Sequence, residues 1–369
     1  MPTVHILGTR GYPSFYGGFE TAVRQLVPFL KRRGWKVTVY SRRDSVINDS
    51  FPDFNAGVAK YTPGIKGYRF STLSYGFTSS IHAMYSKPDV VLIMNVANCI
   101  WLPILKIRKV RTVVNVDGIE WKRQKWGAVA KSIFLLGAKL TARYADLIIT
   151  DSQEIQKYWK KKFGVASKFI PYGANIILES SEPFNFNFGN YFLYVARFVP
   201  ENSISEFIES IPKLTKIADV VIVGSDDGKS NYDQQVRELC GKYSNVYWLG
   251  RIQDDALLQS LWQHCAIYIH GHTVGGTNPA LVQAMGCGAV IIASDNVFNK
   301  ETLDLNGVYF IDSDDLYLKA REIFSNQTLR QEISAKNKVR AQTYYDWAKI
   351  CGDYEEALQS TIDKTKART

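Results

Sequence analysis

Val4-His5-Ile6-Leu7-Gly8-Thr9-Arg10-Gly11 runs into Tyr12-Pro13-Ser14-Phe15-Tyr16-Gly17-Gly18-Phe19-Glu20. A short apolar run ends in a glycine-rich turn, and residues Phe19–Arg33 continue with helical spacing. Strand, glycine turn and helix begin a parallel-sheet βα unit. The alternation repeats outward from there. Strands are predicted at Val4–Leu7, Lys36–Tyr40, Val90–Met94, Thr112–Asn115, Leu147–Thr150 and Lys168–Ile170, with helices at Ala128–Tyr144 and Gln153–Lys162. A second series follows at Tyr191–Val195, Val220–Val223, Val246–Trp248, Ile267–His270 and Val290–Ala293, and the last fifty residues read as helical apart from Val308–Ile311.

Between the two series the pattern lapses into Pro171-Tyr172-Gly173, Ser180-Ser181-Glu182-Pro183 and Asn185-Phe186-Asn187-Phe188-Gly189-Asn190, a linker by composition. The charge changes sign at the same place. Residues 1–180 hold 27 Lys/Arg against 11 Asp/Glu, or +16, whereas residues 181–369 hold 18 against 24, or −6. Two α/β domains are therefore expected: residues 1–172, a linker over 173–190, residues 191–345, and a helix over 346–369 that packs back towards the N-terminal domain. A strongly basic half suits an anionic partner such as a phosphorylated substrate or a phospholipid surface.

The remaining composition narrows the class. At 46% hydrophobic and 22% charged residues, the 369-residue chain has the composition of a globular protein, not a disordered or multi-span membrane one. Five scattered cysteines without metal-ligand spacing read as reduced thiols of a cytosolic protein. The longest apolar stretch, Val90 to Leu105, is interrupted by Asn95, Asn98 and Pro103, so it reads as strand, turn and helix rather than a span. No secretory signal is read at the N-terminus.

Three clusters carry chemistry. Each follows a predicted strand, where doubly wound sheets bind ligands. The Gly8–Glu20 turn offers backbone N–H groups at a helix N-terminus beside Arg10; its spacing is not that of a dinucleotide loop, and there is no Walker lysine. Asn115-Val116-Asp117-Gly118-Ile119-Glu120-Trp121-Lys122-Arg123-Gln124-Lys125-Trp126 combines carboxylates that could grip hydroxyls with indoles that could stack on a sugar ring. His270-Gly271-His272-Thr273-Val274-Gly275-Gly276-Thr277-Asn278-Pro279 ends a strand and starts a helix, with Asn278 as N-cap and Pro279 at the first helical position. Backbone donors there suit a diphosphate, and Arg197, just past another strand, could grip it. The His-x-His pair has no third ligand nearby, so no metal is expected.

Taken in order, these segments resemble the retaining GT-B glycosyltransferases of family 4. More narrowly, Gly8-Thr9-Arg10-Gly11, Tyr16-Gly17-Gly18-Phe19-Glu20-Thr21, Asp117-Gly118-Ile119-Glu120-Trp121-Lys122-Arg123 and Gly275-Gly276-Thr277-Asn278-Pro279 look like the bacterial polysaccharide rhamnosyltransferase subgroup. The match runs over almost the entire chain. It implies an α/β GT-B fold, two Rossmann-like domains facing across a cleft. The implied reaction moves a hexose, L-rhamnose from dTDP-β-L-rhamnose, to a hydroxyl of a surface glycan on a polyprenyl diphosphate. No metal or other cofactor is implied, and no nucleic-acid partner. Acceptor chemistry places the chain at the inner face of the cytoplasmic membrane, peripherally bound to anionic lipid.

Roles follow from the same resemblance. Gly17, Gly18, Arg197, His272, Gly275, Gly276, Thr277, Asn278 and Gln283 would bind the donor. Arg10, Tyr16, Trp121 and Arg123 would bind the acceptor, and Asp117 and Glu120 would act catalytically. The chain departs from the family pattern in four places. Asn202 replaces a lysine, Gly275 and Gln283 replace the two glutamates of a Glu-x7-Glu motif, and Asp117 replaces a histidine. Two alternatives stay open: a sugar-nucleotide epimerase of GT-B fold, and, raised by Asn202, Gly275 and Gln283, a non-catalytic glycan- or nucleotide-binding homologue. Isomer formation without free nucleotide would mark the first, and absence of nucleotide release the second.

Overall fold

Both faces of a parallel sheet are covered, so its strands are apolar throughout rather than alternating. Val90–Met94 and Thr112–Val116 illustrate this, since all five residues of each are buried. The computed structural model describes residues 1–14, 17–42, 57–65, 71–116, 118–123, 126–177, 179, 189–304 and 307–366. The chain divides into two units: Met1–Tyr172 with the chain from Trp347 onward, and Gly173–Asp346.

Unit 1 carries strands β1 (Thr3–Leu7), β2 (Lys36–Ser41), β3 (Ala59–Tyr61), β4 (Val90–Met94), β5 (Thr112–Val116), β6 (Leu147–Thr150) and β7 (Lys168–Phe169). Its helices are α1 (Gly18–Arg32), α2 (Ser71–Ser86), α3 (Leu102–Ile107), α4 (Ala128–Tyr144) and α5 (Gln153–Phe163). The seven strands lie in the order β3-β2-β1-β4-β5-β6-β7, all parallel. Strand order therefore reverses between β1 and β4, and the crevice beyond their carboxyl ends is the ligand position of such a sheet.

Unit 2 repeats the plan with β8 (Tyr191–Val195), α6 (Ile204–Leu214), β9 (Asp219–Val223), α7 (Tyr232–Lys242), β10 (Val246–Trp248), α8 (Asp255–His264), β11 (Ile267–His270), α9 (Pro279–Gly286), β12 (Ile291–Ser294), α10 (Val297–Leu303), β13 (Val308–Phe310), α11 (Ser313–Ser325) and α12 (Gln327–Tyr344). The order β10-β9-β8-β11-β12-β13 puts its reversal between β8 and β11. Phe192, Tyr194, Phe207, Ile211, Val220 and Ile222 are buried together in its core, with Tyr194 stacked on Phe207 at 4.3 Å.

The last helix, α13 (Trp347–Lys366), packs on α1, β4 and β5 of unit 1. Glu355 receives Arg33 Nε at 3.0 Å and Trp35 Nε1 at 3.1 Å, and Tyr354 OH pairs with Asn115 inside the sheet. Residues 173–177, expected as linker, are held in unit 2 by backbone bonding. Ala174 N donates to Tyr345 O at 2.6 Å, and Ile177 N donates to Gly286 O at 3.1 Å. Three of these elements were not read from sequence: β3, the 16-residue α2 and α10.

Candidate active site

At the β1/β4 reversal the chain leaves β1 through Gly8, whose φ of +96° suits only glycine. A Cβ there would stand 1.8 Å from Met94 O, so the turn can pass β4 only without a side chain. The turn is held by the chain's own anion. Glu20, in the first turn of α1, is buried, and its Oε1 accepts from Arg10 N at 3.1 Å. A carboxylate is favoured at this end of a helix. Gly17 is the extended N-cap, its carbonyl accepting from Thr21 N at 3.0 Å, and Gly18 is the first helical residue. Glu20 Oε2 is within 3.4 Å of where a Gly17 Cβ would be, so a negative charge already stands beside the expected phosphate cradle at Gly17-Gly18. Tyr16 lies outside the described residues.

Beyond β5, Asp117 also lies outside the described residues. Its neighbours are described and differ from expectation. Glu120 is buried, with Oε1 2.9 Å from Arg123 Nε as an ion pair and Oε2 accepting from Trp126 Nε1 at 2.7 Å. Both oxygens of Glu120, for which a catalytic part was expected, face protein, and the Arg123 guanidinium, expected to bind acceptor, pairs with it. Trp121 is 8% exposed, donates to Tyr158 OH at 3.3 Å, and packs edge-on to Trp159 and Phe163. Lys162 Nζ sits 5.2 Å from its ring centroid. Packed among the aromatic residues of α5, this indole, expected to bind acceptor, has little surface exposed.

The β8/β11 reversal in unit 2 is finished differently. Arg197, two residues past Val195 at the end of β8, is exposed, and its guanidinium has no hydrogen-bond or ion-pair partner among the described residues. Its backbone is fixed all the same. Asn202 Nδ2 donates to Arg197 O at 2.7 Å, while Asn202 Oδ1 lies 2.6 Å from His272 Nδ1. With the amide nitrogen committed to a carbonyl, its oxygen must accept, so Nδ1 of His272 carries the proton. Gly271 lets these two loops touch, because a Cβ there would stand 2.0 Å from Asn202 O. The residue that replaces the family lysine therefore ties the Arg197 loop to the His272 loop.

Past His272 the chain turns through Gly275, at φ +96°, and Gly276 to the buried Thr277. Asn278 then caps α9, its Oδ1 accepting from Ala280 N at 2.9 Å and Leu281 N at 3.4 Å. The cap engages Oδ1 and leaves the donors of Nδ2 outside these bonds. Gln283 is likewise engaged: Oε1 accepts from Asn175 N at 3.2 Å and Nε2 donates to Asn175 O at 3.4 Å. A glutamate could make only the first bond. His270, beneath the turn, is buried and bonded through Nδ1 to Tyr268 OH at 3.0 Å, and burial holds its imidazole down to about 3.

Comparison with known proteins bears on this geometry. A sucrose-phosphate synthase from Thermosynechococcus elongatus is similar over 99% of this chain and 100% of that one, at a TM-score of 0.81 and 16% identity. Anabaena HepE in complex with UDP-glucose is similar over 98% and 100%, at 0.75 and 16%. The fold is GT-B. On that GT-B frame, residues 189–326 match the family described as glycosyl transferases group 1, and residues 1–175 match a domain of unknown function, DUF1972. An uncharacterized glycosyltransferase of Methanocaldococcus jannaschii is 23% identical over 170 residues, 44% of this chain and 42% of that protein, so the match spans less than half of that relative's length.

Proposed function

We propose that the chain is a retaining glycosyltransferase that moves a hexose from a nucleotide sugar to an acceptor hydroxyl. The observation that carries this reading is the exposed, unpartnered Arg197 at the β8/β11 reversal, tied through Asn202 to the loop of the Gly275 turn. A guanidinium and the backbone donors before α9 would stabilise the charge that grows on a leaving diphosphate. No metal is needed for that task. In a front-face route the C1–O bond to the diphosphate breaks as the acceptor oxygen bonds C1 from the same side. The departing phosphate oxygen takes the acceptor proton. Asp117 would orient the acceptor hydroxyl, a part Glu120 is not placed to share.

The donor proposed is dTDP-β-L-rhamnose, on the motif resemblance, and the acceptor a lipid-linked bacterial surface glycan. Anabaena HepE carries UDP-glucose on the same fold, which supports a nucleotide-sugar donor in general. Docking to anionic lipid at the inner face of the cytoplasmic membrane is supported by unit 1. Ile107, Val129 and Leu136 are exposed there, along α3 and α4 with Arg108, Lys109, Lys139 and Arg143. Each cation near an anionic leaflet contributes about 1 kcal/mol. No helix among the described residues is long and apolar enough to cross a membrane. The test is a melting panel with dTDP-, UDP- and GDP-sugars, followed by nucleotide release with the donor that stabilises. Stabilisation by a dTDP-sugar with nucleotide release on adding acceptor supports the reading; an isomerised donor without release, or no release, overturns it.

A further inference from the structure

One residue of the first glycine turn has no structural reason to be glycine. Gly17 is extended, with φ −171°, a backbone that any residue adopts. Nor is it pressed against a neighbour. Beyond the residues adjacent in the chain, the one heavy atom described within 4 Å of where its Cβ would stand is Glu20 Oε2, at 3.4 Å. What a side chain at residue 17 would do is cover that oxygen. Glycine serves where a ligand must come close to the backbone, and here it leaves Oε2 approachable.

That oxygen is also incompletely used. Glu20 is 8% exposed, and its hydrogen bonding among the described residues is the single bond that Oε1 accepts from Arg10 N at 3.1 Å, with no ion pair. An ionised carboxylate has about four acceptor positions, and burying one so lightly bonded is costly even at the favourable end of a helix. The place is the carboxyl end of β1 beside β4, where a sheet whose strand order reverses binds its ligand. Chemistry narrows the occupant. A carboxylate repels phosphates and other carboxylates, and no group of three metal-ligating side chains gathers among the described residues. A hydroxyl, by contrast, donates to it in a charge-assisted bond. We propose that Glu20 Oε2, approached over Gly17, accepts a hydrogen bond from a neutral hydroxyl of the acceptor saccharide. Naming that saccharide the acceptor rests on the transferase reading above; the hydroxyl site itself does not.

Two variants isolate the bond. Glu20→Gln keeps an oxygen for Arg10 N and puts an amide nitrogen where Oε2 stands, whereas Gly17→Ala keeps the carboxylate and covers it. The full chain without nucleotide is titrated with the methyl glycosides of glucose, galactose and rhamnose, observed by ligand NMR. Inorganic phosphate and glucosamine serve as competitors, and melting temperature is read alongside. Saturable binding of at least one methyl glycoside is expected. Each variant should weaken it about tenfold, the size of one hydrogen bond to a charged group, without lowering the melting temperature. Binding that neither variant alters overturns the proposal, as does no saturable binding of any glycoside. Phosphate that displaces the glycoside and is itself weakened in Gly17→Ala overturns it in favour of a phosphate cradle. Glucosamine bound more tightly than every glycoside, with that preference lost in Glu20→Gln, overturns it in favour of an ammonium group. Should Glu20→Gln fail to fold, Gly17→Ala decides alone. In turnover, Glu20→Gln should raise the acceptor KM and leave the donor KM where it was. Glycoside binding that responds to both variants without any sugar transfer would overturn the transferase reading and spare the hydroxyl site; transfer with an acceptor KM that neither variant changes would do the reverse.

Discussion

The two sheet reversals share one construction and have opposite finishes. At β1/β4 the glycine turn is closed on Glu20, and the carboxylate, guanidinium and indoles that follow β5 are tied to one another. At β8/β11 the polar side chains Asn202, His272 and Asn278 fix backbone and loops, and Arg197 is left exposed without a protein partner among the described residues. Polar density in sequence is therefore a poor guide to which edge receives charge. What counts is whether the polar atoms satisfy each other.

This contrast can be broken by substitution. The largest effect is expected at Glu120→Ala, which strands the Arg123 guanidinium in a buried setting and should cost about 3–5 kcal/mol of stability. Urea denaturation measures it; a variant of undiminished stability that has lost transfer would return Glu120 to the reacting groups. Next comes Arg197→Ala. An exposed side chain without partners can be removed with little change in stability, while donor affinity should fall by the about 1.5–3 kcal/mol of a charged hydrogen bond. Unchanged nucleotide affinity would leave the β8/β11 edge as closed as the other.

Acid should act on both units. Burial lowers His270 to about 3, and burial, with His82 and Lys36 adding to it, lowers His5 to about 4. An unfolded histidine titrates near 6.5. Between these values the unfolded chain binds more protons, so stability is fully present above about 6.5 and declines as pH falls towards 4 and then 3. Melting temperatures across that window should show the decline, and His270→Gln should flatten its lowest part; an unaltered slope would remove His270 from the account. The smallest effect is expected at Gln283→Glu, which keeps the bond from Asn175 N but loses donation to Asn175 O, for about 0.5–1.5 kcal/mol. If donor affinity rises instead, residue 283 reaches the nucleotide as the family glutamate does.

Strand positions and domain number were legible because parallel strands are apolar along their whole length and glycine or proline punctuates them. Helix α2 was not. Its buried face is made of Ser71, Tyr75, Gly76, Ser79, Ser80 and Ala83, so no apolar stripe announces it. The Asp117–Trp126 cluster was legible as a concentration of polar and aromatic residues, yet its indole partners arrive from Trp159 and Phe163, on another helix.

The sequence by itself determined the βα alternation, the two-domain plan, the basic first half and the cap at Asn278, because each depends on neighbours within a turn or a strand. Only the tertiary structure decided which polar groups are spent. Glu120 with Arg123 and Trp126 is local in sequence, but its burial is not. Asn202 meets His272 across 70 residues, and Gln283 meets Asn175 across 108. Hydrogen bonds are satisfied in space, so whether a carboxylate or an amide is available to a ligand depends on partners that sequence separation conceals.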